Sequence, residues 1–471
     1  MKKLILFLFL CNFYMCFSQN FSGMMSIQLD KKCKSYASVD KNQSNTVLYF
    51  IDSNKNEAIL IDGNTTFVDS LRAKPIDDYD KIVTEHTLNK VSKIVFANQR
   101  FTSFCIQKFD FNNRKITSNI FSFNINGRNL LQVFFNNDKL YILSCSIFDK
   151  SLILTSVSDD EIVSDDVVKV ENVDKKIFET LSDYTYSAEK NKFPIVIIEE
   201  NKYSTFSETQ SLSKGYIKNN TFVICLETNK NETRIFSINT QDKTATTGFV
   251  KKDISEKTTS CNTIVIGNNI YQVIQNKDNF TIQIKDFQGN VLKKLSEYNL
   301  YKSKFFTEAE LGEITEIESK TYFKKVNNQE IGINYKKKND KLYLNIGTVT
   351  NARIPIDGDQ KVSYTQYGLL TGGLIGGLIG AIIDSAKKSP NINSNSELIT
   401  NGQTFCQIVL DENFNVLETS KNDFSHNKLK KQIINSNSFT IPSIFYMNEA
   451  YYLGYYIEKE KRYFFKKFKD E

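Results

Sequence analysis

The chain has 471 residues, with 60 Lys and Arg against 54 Asp and Glu, a formal net charge of +6 and 40% hydrophobic residues. It is long enough for a large core and too balanced for a polyelectrolyte. Lysine is interleaved with aspartate and glutamate, which speaks against a broad nucleic-acid-binding field. His86 and His426 are the only histidines, so a site of three imidazoles is excluded and a Ser-His-Asp relay has two candidate bases.

Lys2 and Lys3 precede an apolar run from Leu4 to Phe17, and Cys16 and Ser18 supply small residues at the −3 and −1 positions of a cleavage after Ser18. This predicts a signal peptide over 1–18 and an exported chain beginning near Gln19, in the periplasm, at the outer membrane or outside the cell. Tyr14 and Met15 before Cys16 make a poor lipidation signal, and the run is shorter than the ~20 residues a spanning helix needs. Six cysteines follow, Cys33, Cys105, Cys145, Cys225, Cys261 and Cys406, with no CxxC pair. Most sit in apolar runs such as Phe222-Val223-Ile224-Cys225, where buried, inert thiols are expected; export would permit oxidation, with fifteen pairings open.

Asp52-Ser53-Asn54-Lys55-Asn56 begins like a calcium loop, but Glu57 stands where glycine is required and Gly63 where the bidentate glutamate is required, so it reads as a hairpin turn. The histidines lie in polar stretches, Thr84-Glu85-His86-Thr87 and Ser425-His426-Asn427, and read as exposed. Asp159, Asp160, Glu161, Asp165 and Asp166 read as an acidic hairpin. Neither GxSxG nor HExxH occurs, and no catalytic, metal or cofactor site is assigned.

A turn rich in Asn and Asp, followed by an apolar residue and tyrosine, recurs at Asn137-Asp138-Lys139-Leu140-Tyr141, Asn268-Asn269-Ile270-Tyr271, Asn339-Asp340-Lys341-Leu342-Tyr343 and Asn448-Glu449-Ala450-Tyr451, with a weaker copy from Asn45 to Tyr49. Each copy opens a β-branched and aromatic run, and a second run follows after another polar turn. The unit is an antiparallel meander of roughly 40 to 55 residues, the size of a four-stranded propeller blade, which predicts an all-β propeller of about six to eight blades. A β-sandwich array would need units nearer ~100 residues and linkers between them. The pattern resembles the secreted bacterial β-propellers as a broad class. The absence of tryptophan removes the WD dipeptide and the tryptophan-bearing aspartate box, so the resemblance carries over no site residues.

Two short helices are expected within the β-fold. Thr307-Glu308-Ala309-Glu310 has capping-box spacing before Leu311, Ile314 and Ile317, and Asp174 is placed to cap a turn containing Ile177, Phe178 and Leu181.

From Gly368 to Gly380 a glycine occupies every fourth position, Gly368, Gly372, Gly376 and Gly380, with Gly373 and Gly377 beside them, and no residue from Val362 to Ile383 is charged. Wound as a helix, the segment has a small face and a bulky face bearing Leu370, Leu374, Ile375, Leu378 and Ile379. Six glycines cost about 1 kcal/mol each in a helix, and Leu and Ile regain only about 0.3 to 0.6 kcal/mol each on insertion into lipid. Close packing through the small face would supply the remainder. Gly372 and Gly377 have phosphate-loop spacing, but Leu378 and Ile379 stand where Lys and Ser or Thr are needed. The segment resembles the glycine-zipper segments of bacterial envelope proteins, and the resemblance makes Gly368, Gly372, Gly376 and Gly380 the packing face.

Pro390 to Ser396 reads as a polar linker, so 358–403 is an insertion between a first propeller part, 19–357, and closing strands, 404–471. The last hairpin mixes Lys459, Lys461, Arg462, Lys466, Lys467 and Lys469 with Tyr463, Phe464, Phe465 and Phe468, as expected of an edge strand with a lysine-bearing face. The function expected is a non-enzymatic binding or assembly module of the cell envelope that meets a protein partner, a second copy or membrane through the zipper, without nucleic acid. The alternative is a propeller hydrolase or lyase with a dispersed site, for which charged residues converging on the central channel would be the mark.

Overall fold

Strands such as Asn45–Ile51 bury five consecutive residues, Val47, Leu48, Tyr49, Phe50 and the one before them, Thr46, because both faces of their sheet are covered. The computed structural model describes most of residues 25–469; the main intervals outside the description are 172–180, 182–192, 296–304, 356–396 and 418–438. Seven antiparallel-based sheets follow one another along the described chain and pack as the blades of a β-propeller. Blade 1 runs from Lys34 to Ala73, blade 2 from Lys81 to Ser122, blade 3 from Arg128 to Val167 and blade 5 from Thr258 to Leu295, each as four consecutive strands from channel to rim. The expected count of six to eight is met by seven.

Three blades depart from the simple meander. In blade 4, Ser213–Lys218 is joined on its channel side by the parallel strand Val196–Ile197, and the rim strand Thr244–Lys251 is joined in parallel by Lys169–Glu171. In blade 6, Gly332–Lys338, Lys341–Pro355 and Glu397–Leu410 are flanked at the rim by the earlier strand Phe305–Glu310. Blade 7 takes Phe439–Met447, Ala450–Ile457 and Arg462–Lys469 from the C-terminal end, and its fourth strand, Met25–Gln28, from the N-terminal end. Over Arg462 to Phe465 the strand Arg462–Lys469 is not the free edge expected: Met25 to Gln28 pair with Phe465 to Arg462 and close the ring, and Lys466, Lys467 and Lys469 lie beyond that pairing.

Alternate residues of each strand face different neighbours, so each core belongs to two blades. Val47 and Tyr49 pack with Ile94, Phe96 and Phe109 of blade 2, whereas Leu48 and Phe50 pack with Phe445, Tyr452 and Phe465 of blade 7. Between blades 3 and 4, Phe134 stacks on Phe222 with ring centroids 4.2 Å apart. Buried polar pairs tie blades laterally: Asn56 Nδ2 donates to Gln107 Oε1 at 2.8 Å, Asn136 Nδ2 to Thr240 Oγ1 at 3.1 Å, and Thr233 and Thr263 share a hydroxyl bond of 2.9 Å. A buried ion pair links blade 4 to its exit, Lys252 Nζ to Glu227 Oε2 at 2.5 Å, with Thr233 Oγ1 donating to the other carboxylate oxygen at 3.0 Å.

The recurrent Asn/Asp turn is the two-residue connection between the innermost and second strands of a blade. Asn137 and Asp138 (φ 48° and 64°), Gly267 (55°), Asp340 (60°) and Asn448 (47°) take the left-handed conformation that such turns demand and that Asn, Asp and Gly tolerate. Blades 2 and 4 use Asn89-Lys90 and Asn219-Asn220 in the same place, with φ of 50°, 63° and, for Asn219, 47°. These turns share one face, here termed the turn face. The opposite, connection face carries the second-to-third-strand turns and the links between blades.

The helix expected at Thr307–Glu310 is a strand. Phe306 pairs with Cys406 and Thr307 with Phe405, so rim pairing overrides a local capping pattern. The helix forms instead at Ser319–Val326, where Tyr322, Phe323 and Val326 are buried and Tyr322 packs on Phe306 with centroids 4.8 Å apart. Asp174, Ile177 and Phe178 lie outside the described residues; Leu181 is buried between blades 3 and 4.

Because Lys252 would be left charged and buried, Glu227→Ala should cost about 3–5 kcal/mol, read as a lowered urea midpoint, whereas the joint change Glu227→Leu with Lys252→Met should recover most of the loss. Equal stability of Glu227→Ala and the parent would show that the pair contributes nothing to blade cohesion.

Candidate functional sites on the two faces

On the turn face the innermost strands of blades 1 to 4 end around a cavity of about 360 Å³, lined among others by Asp40, Glu85, His86, Phe135, Asn137 and Glu199. His86 belongs to the strand Lys81–Leu88. Contrary to the exposed position expected from its polar neighbours, its side chain is only 13% exposed. Its ring stacks on Phe135 at 5.1 Å, and Nε2 lies 3.7 Å from Asp138 Oδ1. Lys93 Nζ reaches the same carboxylate at 3.1 Å and the Asp138 carbonyl at 3.1 Å. Asp40 is buried and accepts the backbone N–H groups of Asn42 and Asn89, each at 3.3 Å, tying blade 1 to the blade 2 turn.

Beneath this rim the hydroxyls are committed to one another. Thr87 Oγ1 donates to Ser38 Oγ at 2.9 Å and lies 2.6 Å from Ser92 Oγ, which also bonds the Tyr49 hydroxyl. The cavity thus offers an imidazole and carboxylates to a polar ligand, above a hydroxyl chain that serves the blade 1–blade 2 contact.

Just before blade 4 the chain packs Phe193 and Ile195 against blades 2 and 3. Phe193 meets Phe101 edge-on at 5.9 Å, the Ile195 carbonyl accepts from Gln132 Nε2 at 2.5 Å, and the segment then lines the cavity with Ile197 and Glu199. The chain returns to a helical turn at Phe206–Thr209. Lys214, fully buried, donates to the carbonyls of Thr209 (3.3 Å) and Ser211 (2.8 Å) and to Asn262 Oδ1 (2.8 Å), and burial pulls its pKa down. Gly332 lets this turn approach blade 6, since a Cβ there would come within 2.7 Å of Thr209 Oγ1 and 2.8 Å of the Phe206 carbonyl.

On the connection face, blade 6 extends a two-stranded arm. Its second and third strands have 15 and 14 residues where those of the other blades have 6 to 8, and they remain paired in register from Leu342↔Leu410 to Pro355↔Glu397. Phe305–Glu310 flanks the pair only as far as Gln403, so the six pairs from Thr350↔Gly402 to Pro355↔Glu397 project beyond it. At ~3.3 Å per residue this is an arm of about 20 Å. Glu397–Gln403, within the expected insertion, is strand and pairs with the second strand of blade 6. The zipper residues Gly368, Gly372, Gly373, Gly376, Gly377 and Gly380 lie in 356–396, outside the described residues, between the two arm strands. Among the described residues no helix is long and apolar enough to cross a membrane.

The other residues singled out by sequence have structural settings. Asp52 Oδ1 accepts the N–H groups of Asn54 (2.5 Å) and Lys55 (2.9 Å), forming the expected hairpin turn. Asp165 binds Arg128 through two bonds of 2.8 and 2.7 Å, and Asp166 pairs with Lys243. Asp159 and Asp160, and His426, lie outside the described residues. The six thiols are free, five of them buried. Burial pushes Cys33, Cys105, Cys225 and Cys261 up to about 12 and Cys145 to about 11. The cavity residues were missed because they come from four segments far apart in the chain: Asp40 and Glu199 follow strands, Glu85 and His86 lie within one, and Asn137 is in a turn.

No protein-family model matches the chain, and no curated protein matches it in sequence. Solved structures that resemble it include Kluyveromyces lactis Hsv2 (7% identity, 93% of this chain and 98% of that chain, TM-score 0.34). The β-propeller domain of the Trilobed protease from Pyrococcus furiosus (9%, 94% and 97%, TM-score 0.35) and the WD40 domain of SCAP from fission yeast (7%, 95% and 90%, TM-score 0.33) are also similar. The propeller assignment itself is read from the seven sheets and their shared cores.

Two outcomes follow. His86→Ala removes a ring stacked on Phe135 and should cost about 1–2 kcal/mol in chemical denaturation, more than an exposed histidine would. Alkali should destabilise the fold, because a thiol with its folded pKa raised above the ordinary 9.0 stays protonated while its unfolded counterpart ionises. That stabilisation is complete below pH 9 and is lost as pH rises toward about 12; Tyr36, Tyr271 and Tyr455, raised from 10.0 to about 12, add to it. Lys214 and Lys285, lowered by burial, act in the opposite sense but are fewer. Melting temperature should therefore fall steadily from pH 9 to pH 11; an unchanged midpoint would contradict the assignment.

Proposed function

We propose that the chain is an exported, non-enzymatic binding or assembly module of the cell envelope, in which a rigid propeller presents the glycine-zipper segment at the end of an arm. The observation that carries this reading is the pairing of Pro355 with Glu397. The ends of 356–396 are held one strand spacing apart, ~5 Å, so whatever the segment contacts, it must leave and return at the same point. This resolves the difficulty of a single spanning helix inside a β-fold, whose ends would lie on opposite sides of a bilayer. A re-entrant or interfacial hairpin, broken near Gly376-Gly377, fits the paired ends, as does a zipper packed on a partner or second copy.

The placement of Asp40, Glu85, His86 and Glu199 around one cavity favours a second reading, a hydrolase or lyase acting at the channel mouth. The module reading is preferred because Asp40 bonds the backbone of the neighbouring blade and His86 packs against Phe135, both of which serve blade cohesion.

Replacing 356–396 by Asn-Gly, which closes a two-stranded ribbon, should leave cooperative melting intact and move the protein from the membrane or complexed fraction to the free fraction. Gly376→Leu should abolish the association while Leu374→Ile has little effect, because only the former forces a side chain between close backbones. Equal effects of the two changes would leave hydrophobicity as the sole determinant and defeat the zipper reading.

A further inference from the structure

We propose that the turn-face cavity is a binding site for an organic cation, an ammonium or guanidinium group on an apolar stem. This goes beyond the reading above and does not depend on what the arm contacts.

Among the described residues three carboxylates line the cavity, Asp40, Glu85 and Glu199, and no lysine or arginine does. Asp40 follows the inner strand of blade 1, Glu85 lies within the inner strand of blade 2, and Glu199 follows Val196–Ile197, the strand added to blade 4 on its channel side. A wall of one sign is not a reflection of composition, because the chain as a whole carries +6. Lysines beside the wall are turned to other partners. Lys93 Nζ bonds the carboxylate and carbonyl of Asp138, and Lys218 Nζ bonds the Gly267 carbonyl and lies 4.9 Å from the centre of the Phe287 ring. His86, the other ionisable group in the lining, stacks on Phe135 with Nε2 toward Asp138.

Asp40 is the deciding group. It is 2% exposed, and each of its oxygens accepts one backbone N–H at 3.3 Å, the long end of the hydrogen-bonding range. An ionised carboxylate offers about four acceptor sites, and a buried one ordinarily meets a cation. Among the described residues no cation forms an ion pair with Asp40. A ligand cation would supply that partner and leave both backbone bonds in place.

The rest of the wall fits the stem. Phe135, Ile197 and Ile217 give apolar contact, and the amides of Asn137 and Asn219 offer further acceptors. The volume of about 360 Å³ falls within the ~300–1,000 Å³ of small-molecule sites, room for a free amine or for one side chain of a partner. Among the described residues no three acids, histidines or cysteines gather closely enough to hold a metal ion. Carboxylates spread along a wall match a cation with several N–H donors pointing apart.

Isothermal titration of the full chain with agmatine and with the blocked peptide acetyl-Gly-Arg-Gly-amide tests the assignment. At least one should bind one to one; tighter binding of agmatine marks a free amine as the source, tighter binding of the peptide a protein side chain. Acetyl-Gly-citrulline-Gly-amide, of the same shape without the charge, should not bind. Glu85→Gln with Glu199→Gln should weaken binding about tenfold with an unchanged melt. Asp40→Asn should weaken it as well, and if that variant fails to fold, the double glutamine variant decides. Absence of binding by both probes, equal binding of the citrulline peptide, or undiminished affinity of the double variant overturns the proposal. The variant lacking 356–396 should bind as the parent does. Loss of binding there would place the site on the arm, and this proposal would fall while the arm reading stood.

Discussion

Among the described residues the sheets of blades 1 to 5 are apolar on both sides, and neither side can be left in water, so each of these blades depends on two neighbours. That constraint explains why a strand of four residues, Met25–Gln28, matters out of proportion to its length. Pairing with Arg462 to Phe465 joins the two ends of the chain into one blade and places Leu48 and Phe50 of blade 1 against Phe445 and Phe465. It explains the buried polar ties as well. An asparagine or threonine between two blades must find its partner on the opposite sheet, as Asn56 does at Gln107 and Thr233 at Thr263, and the match fixes the lateral register of blades that apolar contact alone would let slide.

The sequence made the blades legible through their turns. A two-residue connection at positive φ admits few residue types, so Asn137-Asp138 and Asp340 announce themselves even where the strands around them have diverged. A second repeat was equally physical and went unread. At or just after the end of the third strand in five blades an Asp or Asn caps the next turn: Asp62 to Thr66 N–H, Asp110 to Asn112, Asn239 to Gln241, Asp286 to Asn290 and Asp411 to Asn415. The misreadings share a cause. Thr307 to Glu310, His86 and the stretch from Arg462 to Phe465 were judged by sequence neighbours, whereas their surroundings are set by Cys406, Phe135 and Met25, residues remote in the chain. The cavity could not be read at all, because Asp40, Glu85, His86 and Glu199 come together only when the inner strands converge on the axis.

The arm shows how an insertion can be added to such a ring without opening it. The second and third strands of a blade are interior strands, paired on both sides, and lengthening them beyond the sheet leaves the pairing of Leu342 to Gly347 untouched. The cost falls on the extension, since two strands alone in water are marginal. Such a ribbon is better supported when its far end is engaged than when it is free. A segment without charge from Val362 to Ile383, with glycine at every fourth place, suits engagement and is poorly suited to standing in water.

The caps after the third strands and the positive-φ turns before the second strands both draw on Asp and Asn, because each needs a short side-chain acceptor or a residue that tolerates the left-handed conformation. The same demand operates on the connection face, where Asp52 accepts from Asn54 and Lys55, Asn98 from Thr102 and Asn229 from Asn231. Turn chemistry therefore distributes Asp and Asn over both faces, and the acidic turns need no ligand to explain them. The blade 3 turn differs: nothing in its geometry requires a phenylalanine with 82% of its surface in water, and the bond from Ile147 to Gly127 would form with any side chain beside it. A residue that folding does not require, on the face from which the arm departs, is where a contact with another surface is to be sought.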